Sequence, residues 1–244
     1  MLHQIHLPSL LFVDIETVPQ YGAFHELSPV MQELWAAKHS NLHIADETAE
    51  DGYLKRAGVY AEFAKVVCIS IGFFHYDRAA DKRSFRIKSF YGDDERQILL
   101  DFVELMNKRF NDSDAYSFCG HNIREFDVPF LCRRLLIHAI PFPELLDISG
   151  KRPWETPHID TMQLWKFGDY KSFTSLKLLA EVLGIPTPKD VIDGKDVCRV
   201  YWQEKGLPTI VEYCQKDVIT VARLLLRFKG DTALLNDSDV IVAI

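Results

Sequence analysis

The stretch SLLFVDIE (9–16) is an almost unbroken apolar run that ends in two acids, and it reads as a strand buried on both faces. A long polar segment follows. Within it, Ser28-Pro29 marks a helix start: the serine oxygen can accept from a first-turn N–H, and proline lacks the N–H that would otherwise go unpaired there. KVVCISIGFFHY (65–76) and SFRIKSFY (84–91) are β-rich and predict a hairpin. DDERQILLDFVELMNKRF (93–110) repeats its apolar residues at helical spacing, with acids in the first turn. AYSFCGHN (115–122) reads as another buried strand and runs into FDVPFLCRRLLIHA, a helix with Pro129 near its start. HIDTMQLW reads as a short strand or turn. SLKLLAEVLG (175–184) is a helix closed by Gly184, and LPTIVEYCQKDVITVARLLLRF (207–228) is a long helix. The tail DTALLNDSDVIVAI reads either as a late strand or as a frayed, flexible end over 230–244. Strands that give way to helices in this order imply a mixed β-sheet flanked by α-helices, in the α/β class. With no repeat and no Gly/Ser linker, one domain over 1–244 is expected.

Composition narrows the function classes. An apolar fraction of 48% and a charged fraction of 26% are those of an ordinary globular protein. No apolar run approaches the roughly 20 residues of a membrane span, and the N-terminus has no basic leader, so no membrane partner is expected. The five cysteines are odd in number and scattered, without a C-x-x-C pair. That argues against a disulfide framework or a zinc site and for a reducing, cytoplasmic location. A formal charge of −7 gives no global attraction to nucleic acid, so such a partner needs local basic groups or metal ions.

The chemistry-bearing residues lie in three distant segments. Asp14 and Glu16 are two apart on a strand and therefore share a face, at the carboxyl end where α/β sheets hold ligands. Asp127, in HNIREFDVPFL, falls where a strand gives way to a helix; it reads as a helix cap, or as an acid pinned by the collar of Phe126, Val128 and Phe130. Tyr213 and Asp217 are four apart on the long helix and share a face one turn apart. Asp217 borders the stripe Ile210, Val211, Cys214, Val218, Val221 and Leu224–Leu226, while Lys216 beside it is expected to face outward. Converging carboxylates stay ionised only around a cation, and an all-carboxylate set suits Mg²⁺ or Mn²⁺. Two such ions would support phosphodiester hydrolysis.

D-x-E on a first strand, Asp127 after H-N-x-x-x-F, and Y-x-x-x-D on a late helix together resemble the three motifs of the DEDD superfamily of 3′→5′ exonucleases. The similarity is nearest to stand-alone exonucleases related to the proofreading domain of family-B DNA polymerases. It extends to AEFAKVVCISIG, HIDTMQLWKFGDYKSFTSLKLLAEVLGIPTPKDVIDGKDV and YCQKDV. The resemblance implies an RNase H-like fold and single-stranded DNA as the favoured substrate, shortened from its 3′ end. It implies that Asp14, Glu16 and Asp217 hold the catalytic metal, and that Asp14 and Asp127 hold a second. Glu212 stands where the histidine branch carries His, and Tyr213 puts the chain in the tyrosine branch, with the phenol orienting the attacking water. Thr17, Asn122 and Phe126 would be substrate-side residues, with core packing the competing role for Phe126.

An RNA 3′→5′ exonuclease using the same site is the alternative within enzymes, because sugar discrimination leaves no mark here. A non-catalytic nucleic-acid-binding domain is the alternative outside them, disfavoured by the complete set of four acids and a tyrosine. A D-x-D phosphatase is disfavoured because its second acid would be Asp where this chain has Glu16. A protein partner in repair or replication is left unspecified. Asp160 reads as either a structural acid or one supporting the metal ligands. The polar loop 186–197 and Lys171, Lys177, Lys189 and Lys195 around it could border a substrate groove or simply be solvated. His121, His158, His3 and His6 lack metal-like spacing.

Overall fold

The computed structural model describes residues 2–77, 79, 82–152, 155–169, 173–186, 192–231 and 235–243. Its centre is β1 (Leu10–Pro19), which pairs antiparallel with β2 (Ala64–Asp77) and parallel with β4 (Ser117–Gly120). β2 pairs antiparallel with β3 (Lys82–Tyr91), forming the expected hairpin. The short strands β5 (Ile159–Asp160) and β6 (Val240–Val242) extend the two edges in parallel, giving the order β5-β4-β1-β2-β3-β6. Among the described strands, β2 is the one running against the others. The result is the mixed, helix-flanked sheet of an RNase H-like α/β fold.

Alternation along β1 sorts its residues between two cores. Leu11, Val13 and Ile15 pack with α3 (Glu95–Arg109) and α4 (Asp127–Ile137), through Leu99, Phe102 and Leu131. Leu10 and Phe12 face the other way, onto Val218, Val221 and Leu225 of α8 (Leu207–Phe228). Asp14 and Glu16, in phase with Leu10 and Phe12, therefore face α8. Phe12, Phe74 and Phe85 meet edge-on with centroids 5.0 to 5.6 Å apart, each burial stabilising the fold by roughly 1.5–3 kcal/mol. Gly72 makes this possible, since a Cβ there would sit 2.4 Å from the Phe85 ring. On the opposite face Glu95 accepts from Arg134 Nε at 2.8 Å, from Arg134 Nη2 at 2.5 Å and from the Val66 N–H at 2.8 Å, locking α3, α4 and β2 together.

Local signals set many of the helix ends. Ser28 accepts from the Met31 N–H at the start of α1 (Pro29–Ser40), and Asp94 caps α3 through the Gln97 N–H. Ser175 caps α6 (Leu176–Val182), which ends before Gly184 at φ 63°, in the left-handed region open to glycine. The long helix spans 207–228 as its periodicity predicts, with its apolar stripe buried.

Several expectations need correction. β1 continues past its acids to Pro19, because β2 goes on pairing through a bulge at Glu16/Thr17 that leaves Val67 unmatched. The polar segment holds a second helix, α2 (Ala49–Arg56), capped by Thr48; its Tyr53 packs with Trp35 and Phe63 in a separate small core. HIDTMQLW gives only two strand residues before α5 (Thr161–Lys166) takes over. VCRVYW forms α7 (Val197–Trp202), an element not predicted by the sequence pattern. Lys216 is half-buried and pairs with Glu212 at 2.8 Å rather than facing freely outward. The tail contributes β6, so its strand reading holds for Val240–Val242. No described helix is long and apolar enough to cross a membrane.

Candidate active site

The two acids of β1 point at α8, where they meet Cys214 and Asp217. Oxygens of Asp14 and Glu16 and the Cys214 sulfur lie within 4.8 Å of one another. Burial pushes the Cys214 thiol well above its ordinary range, so it remains S–H and donates to the Asp14 carbonyl at 3.4 Å. Cys214 thus anchors α8 to β1.

Asp127 arrives from the other side. It is the first residue of α4, yet its side chain does not cap that helix. Its Oδ1 accepts the Ile15 N–H, 112 residues away, at 3.1 Å. β4 ends at Gly120, and Asp127 takes the place a further β4 residue would have filled beside β1. That brings Asp127 next to Asp14.

Four acids from β1, α4 and α8 consequently repel one another. Burial, reinforced by Glu16, Asp217 and Asp127, raises the Asp14 carboxyl well above its usual range. Burial and then Asp217 do the same to Glu16. Burial pushes Asp127 up to about 7, against the N–H bonds that favour its anion. Like charges at this separation repel by roughly 3–4 kcal/mol each in partly buried surroundings. Asp14 Oδ2 is buried with no hydrogen-bond partner among the described residues. An orphaned carboxylate oxygen facing other acids fits a hard divalent cation.

The Tyr213 hydroxyl hydrogen-bonds the Asp217 carboxylate, and burial with the charges of Asp217, Glu16 and Asp14 drives its pKa further above the ordinary phenol value. It stays protonated at neutral pH. Gly194 lies against this phenol, since a Cβ there would come to 3.7 Å from the hydroxyl. The part of the 186–197 loop that includes Gly194 therefore borders the site, while residues 187–191 lie outside the described residues.

The middle motif is held by Asp160. Its Oδ1 accepts from the N–H groups of Asn122, Met162 and Gln163, and its Oδ2 from that of Arg124 at 3.1 Å. Asp160 is thus a structural clamp that fastens the turn after β4 to α5. Asn122 adopts a left-handed φ of 65°, and its Oδ1 is buried without a partner among the described residues. His121 bridges the Thr161 hydroxyl and the Thr174 carbonyl, an ordinary hydrogen-bonding role.

Beside Glu16 opens a cleft of about 340 Å³ whose walls include Thr17, Pro19, Arg56, Phe126, Gly194 and Lys195. The Thr17 hydroxyl donates to the Gly58 carbonyl at 2.7 Å, so its proton is committed to the wall. Phe126 packs against Phe130 at 5.5 Å and also lines the cleft. Lys177 pairs with Asp193, and Lys171 and Lys189 lie outside the described residues. The wall from α2, with Lys55 and Arg56 paired to Glu47, is not part of the sequence reading; its local signals are the Thr48 cap, the first-turn acids Glu50 and Asp51, and the last-turn bases Lys55 and Arg56. In the sequence, Cys214 is legible only as part of an apolar stripe.

Comparison with solved structures finds the family B DNA polymerase of the hyperthermophilic archaeon Pyrobaculum calidifontis, with a TM-score of 0.54 and 17% identity. The match covers 90% of this chain and 24% of the polymerase, so the chain spans about a quarter of that relative's length and shares its fold over that part. No curated protein matches in sequence. A family model described as "Predicted 3'-5' exonuclease related to the exonuclease domain of PolB" matches residues 59–241, from just before β2 through α8 and into β6. The chain belongs to this family of predicted PolB-related exonucleases.

Proposed function

We propose that the protein is a metal-dependent exonuclease that removes nucleotides from the 3′ end of single-stranded DNA. The observation that carries this reading is the convergence of Asp14, Glu16, Asp127 and Asp217, with the orphaned Asp14 Oδ2 among them. Asp14, Glu16 and Asp217 would hold one divalent ion, and Asp14 with Asp127 would hold a second. When bound, Mg²⁺ or Mn²⁺ ions activate the attacking water and stabilise the leaving oxygen.

The chain's own groups do the positioning. The Ile15 N–H fixes the Asp127 carboxylate, and the Cys214 thiol fixes the backbone of Asp14. Tyr213, tied to Asp217, presents a protonated hydroxyl that orients water rather than removing its proton. The 3′-terminal nucleotide enters the cleft between Phe126 and Lys195. One domain in a reducing cytosol completes the proposal.

The test uses 5′-labelled DNA and RNA oligonucleotides with Mg²⁺, Mn²⁺ or EDTA. The expected result is a metal-dependent ladder that shortens from the 3′ end, faster on DNA, and absent in Asp14→Ala and Asp217→Ala. A ladder that survives those substitutions refutes the metal assignment, and faster cleavage of RNA refutes the substrate assignment.

A further inference from the structure

A second pocket, of about 380 Å³, is walled by Lys65, Asp93, Tyr201, Trp202, Lys205 and Leu207. Lys65 stands opposite Val18 in the β1–β2 ladder, two residues beyond Glu16. Val18 packs with Cys214 and Tyr201, so this pocket shares a sheet face with the acids.

Trp202 is held rigidly. Its indole N–H donates to the Pro19 carbonyl at 3.1 Å, and a Cβ on Gly22 would come to 3.1 Å from its ring. The ammonium groups of Lys65 and Lys205 lie 5.1 and 5.4 Å from the centroid of this one ring. Lys65 also donates to the Tyr201 hydroxyl at 2.9 Å. Lys205 has a left-handed φ of 54°, a conformation that costs a non-glycine residue about 1–2 kcal/mol, and it makes no ion pair among the described residues. Asp93 is the acid of the lining, and its carboxylate already accepts from Tyr201 at 2.6 Å. Two amines against one engaged carboxylate make the pocket positive on a chain of net charge −7. Attraction to an indole offsets only part of the repulsion between two ammonium groups; an anion between them offsets more. Burial holds the Lys65 ammonium below its ordinary pKa, against the opposing pull of Asp93 and Glu95, and Lys205 adds to the lowering.

We propose that this pocket binds a backbone phosphate of the substrate strand, upstream of the scissile bond, between Lys65 and Lys205. The proposal rests on the exonuclease reading above. Continuity selects this occupant over a free anion: Pro19 walls the cleft beside Glu16, and its carbonyl receives the Trp202 indole. A strand leaving that cleft therefore passes the two amines.

The test compares wild type with Lys205→Gln and with Lys65→Gln/Lys205→Gln, on a long single-stranded oligonucleotide and on a dinucleotide too short to reach the pocket. Circular dichroism confirms folding, and the single substitution at exposed Lys205 stands in if the double variant unfolds. In the double variant, KM for the long substrate rises about tenfold with kcat unchanged, the dinucleotide is cleaved as before, and the salt slope of binding falls by about one per lysine. Fluorescence anisotropy of a labelled oligonucleotide gives the binding comparison without turnover. Unchanged affinity and salt slope overturn the proposal, as does an equal loss on the dinucleotide. Equal protection of the pocket by inorganic phosphate and by oligonucleotide, read by Trp202 fluorescence, assigns a free-anion site and overturns it too. If wild type binds the oligonucleotide through these lysines but cleaves nothing, the exonuclease reading fails and the pocket assignment stands.

Discussion

Replacing Asp127 with asparagine should stabilise the metal-free protein above neutral pH and destabilise the metal-loaded one relative to wild type. Asp127 is 4% exposed, and burial displaces its carboxyl from 3.8 to about 7. Each pH unit of that displacement is worth about 1.4 kcal/mol, so the ionised side chain opposes folding by on the order of 4 kcal/mol. The folded state holds the proton more tightly than the unfolded chain. Stability attributable to this group therefore falls as pH rises from about 4 to about 7 and stays low above that. Asparagine keeps an oxygen for the Ile15 N–H while removing the charge. In EDTA at pH about 8, urea unfolding should show Asp127→Asn more stable than wild type by a few kcal/mol, a large share of the 5–15 kcal/mol typical of a domain. The gap should close toward pH about 4, where both side chains are neutral. Saturating Mg²⁺ should reverse the order, because only wild type retains the full ligand set. A difference independent of pH, or a variant less stable than wild type in EDTA at high pH, would refute the electrostatic account of the site.

Three further outcomes follow from the same geometry. Tyr213→Phe should fold normally and lose activity by roughly 100-fold in kcat with little change in KM, measured by single-turnover cleavage; an unchanged rate removes the phenol from the mechanism. Asp160→Ala strands the N–H groups of Asn122, Arg124 and Met162, and should cost at least about 3 kcal/mol in urea unfolding together with much of the activity. Arg134→Ala leaves the Glu95 carboxylate buried without its guanidinium and should destabilise by about 3–5 kcal/mol, while the activity of the remaining folded molecules is preserved.

How much of this was legible in the sequence differs from element to element. Caps and apolar periodicity are local, so α1, α3, α6, α8 and the β2–β3 hairpin followed from residues within one or two turns of each other. α2 and α7 escaped because neither carries a strong apolar stripe: α2 buries little beyond Gly52 and Tyr53, and α7 spans only Val197–Trp202. β5 and β6, of two and three residues, are too short for periodicity to choose strand over turn or frayed end, and they exist because their neighbours offer open edges.

For the candidate site, the residue types and the spacing of Asp14 with Glu16 and of Tyr213 with Asp217 were set by strand and helix geometry alone. Their meeting was not. Asp127 reaches β1 because β4 stops at Gly120 and leaves the Ile15 N–H to be satisfied from α4. Asp160 became a clamp because four N–H groups from two segments converge on it, and the cleft acquired its wall because α2 packs beside β1. Local propensity depends on neighbours a few residues away, whereas these contacts depend on which buried polar groups remain unpaired once the sheet is assembled.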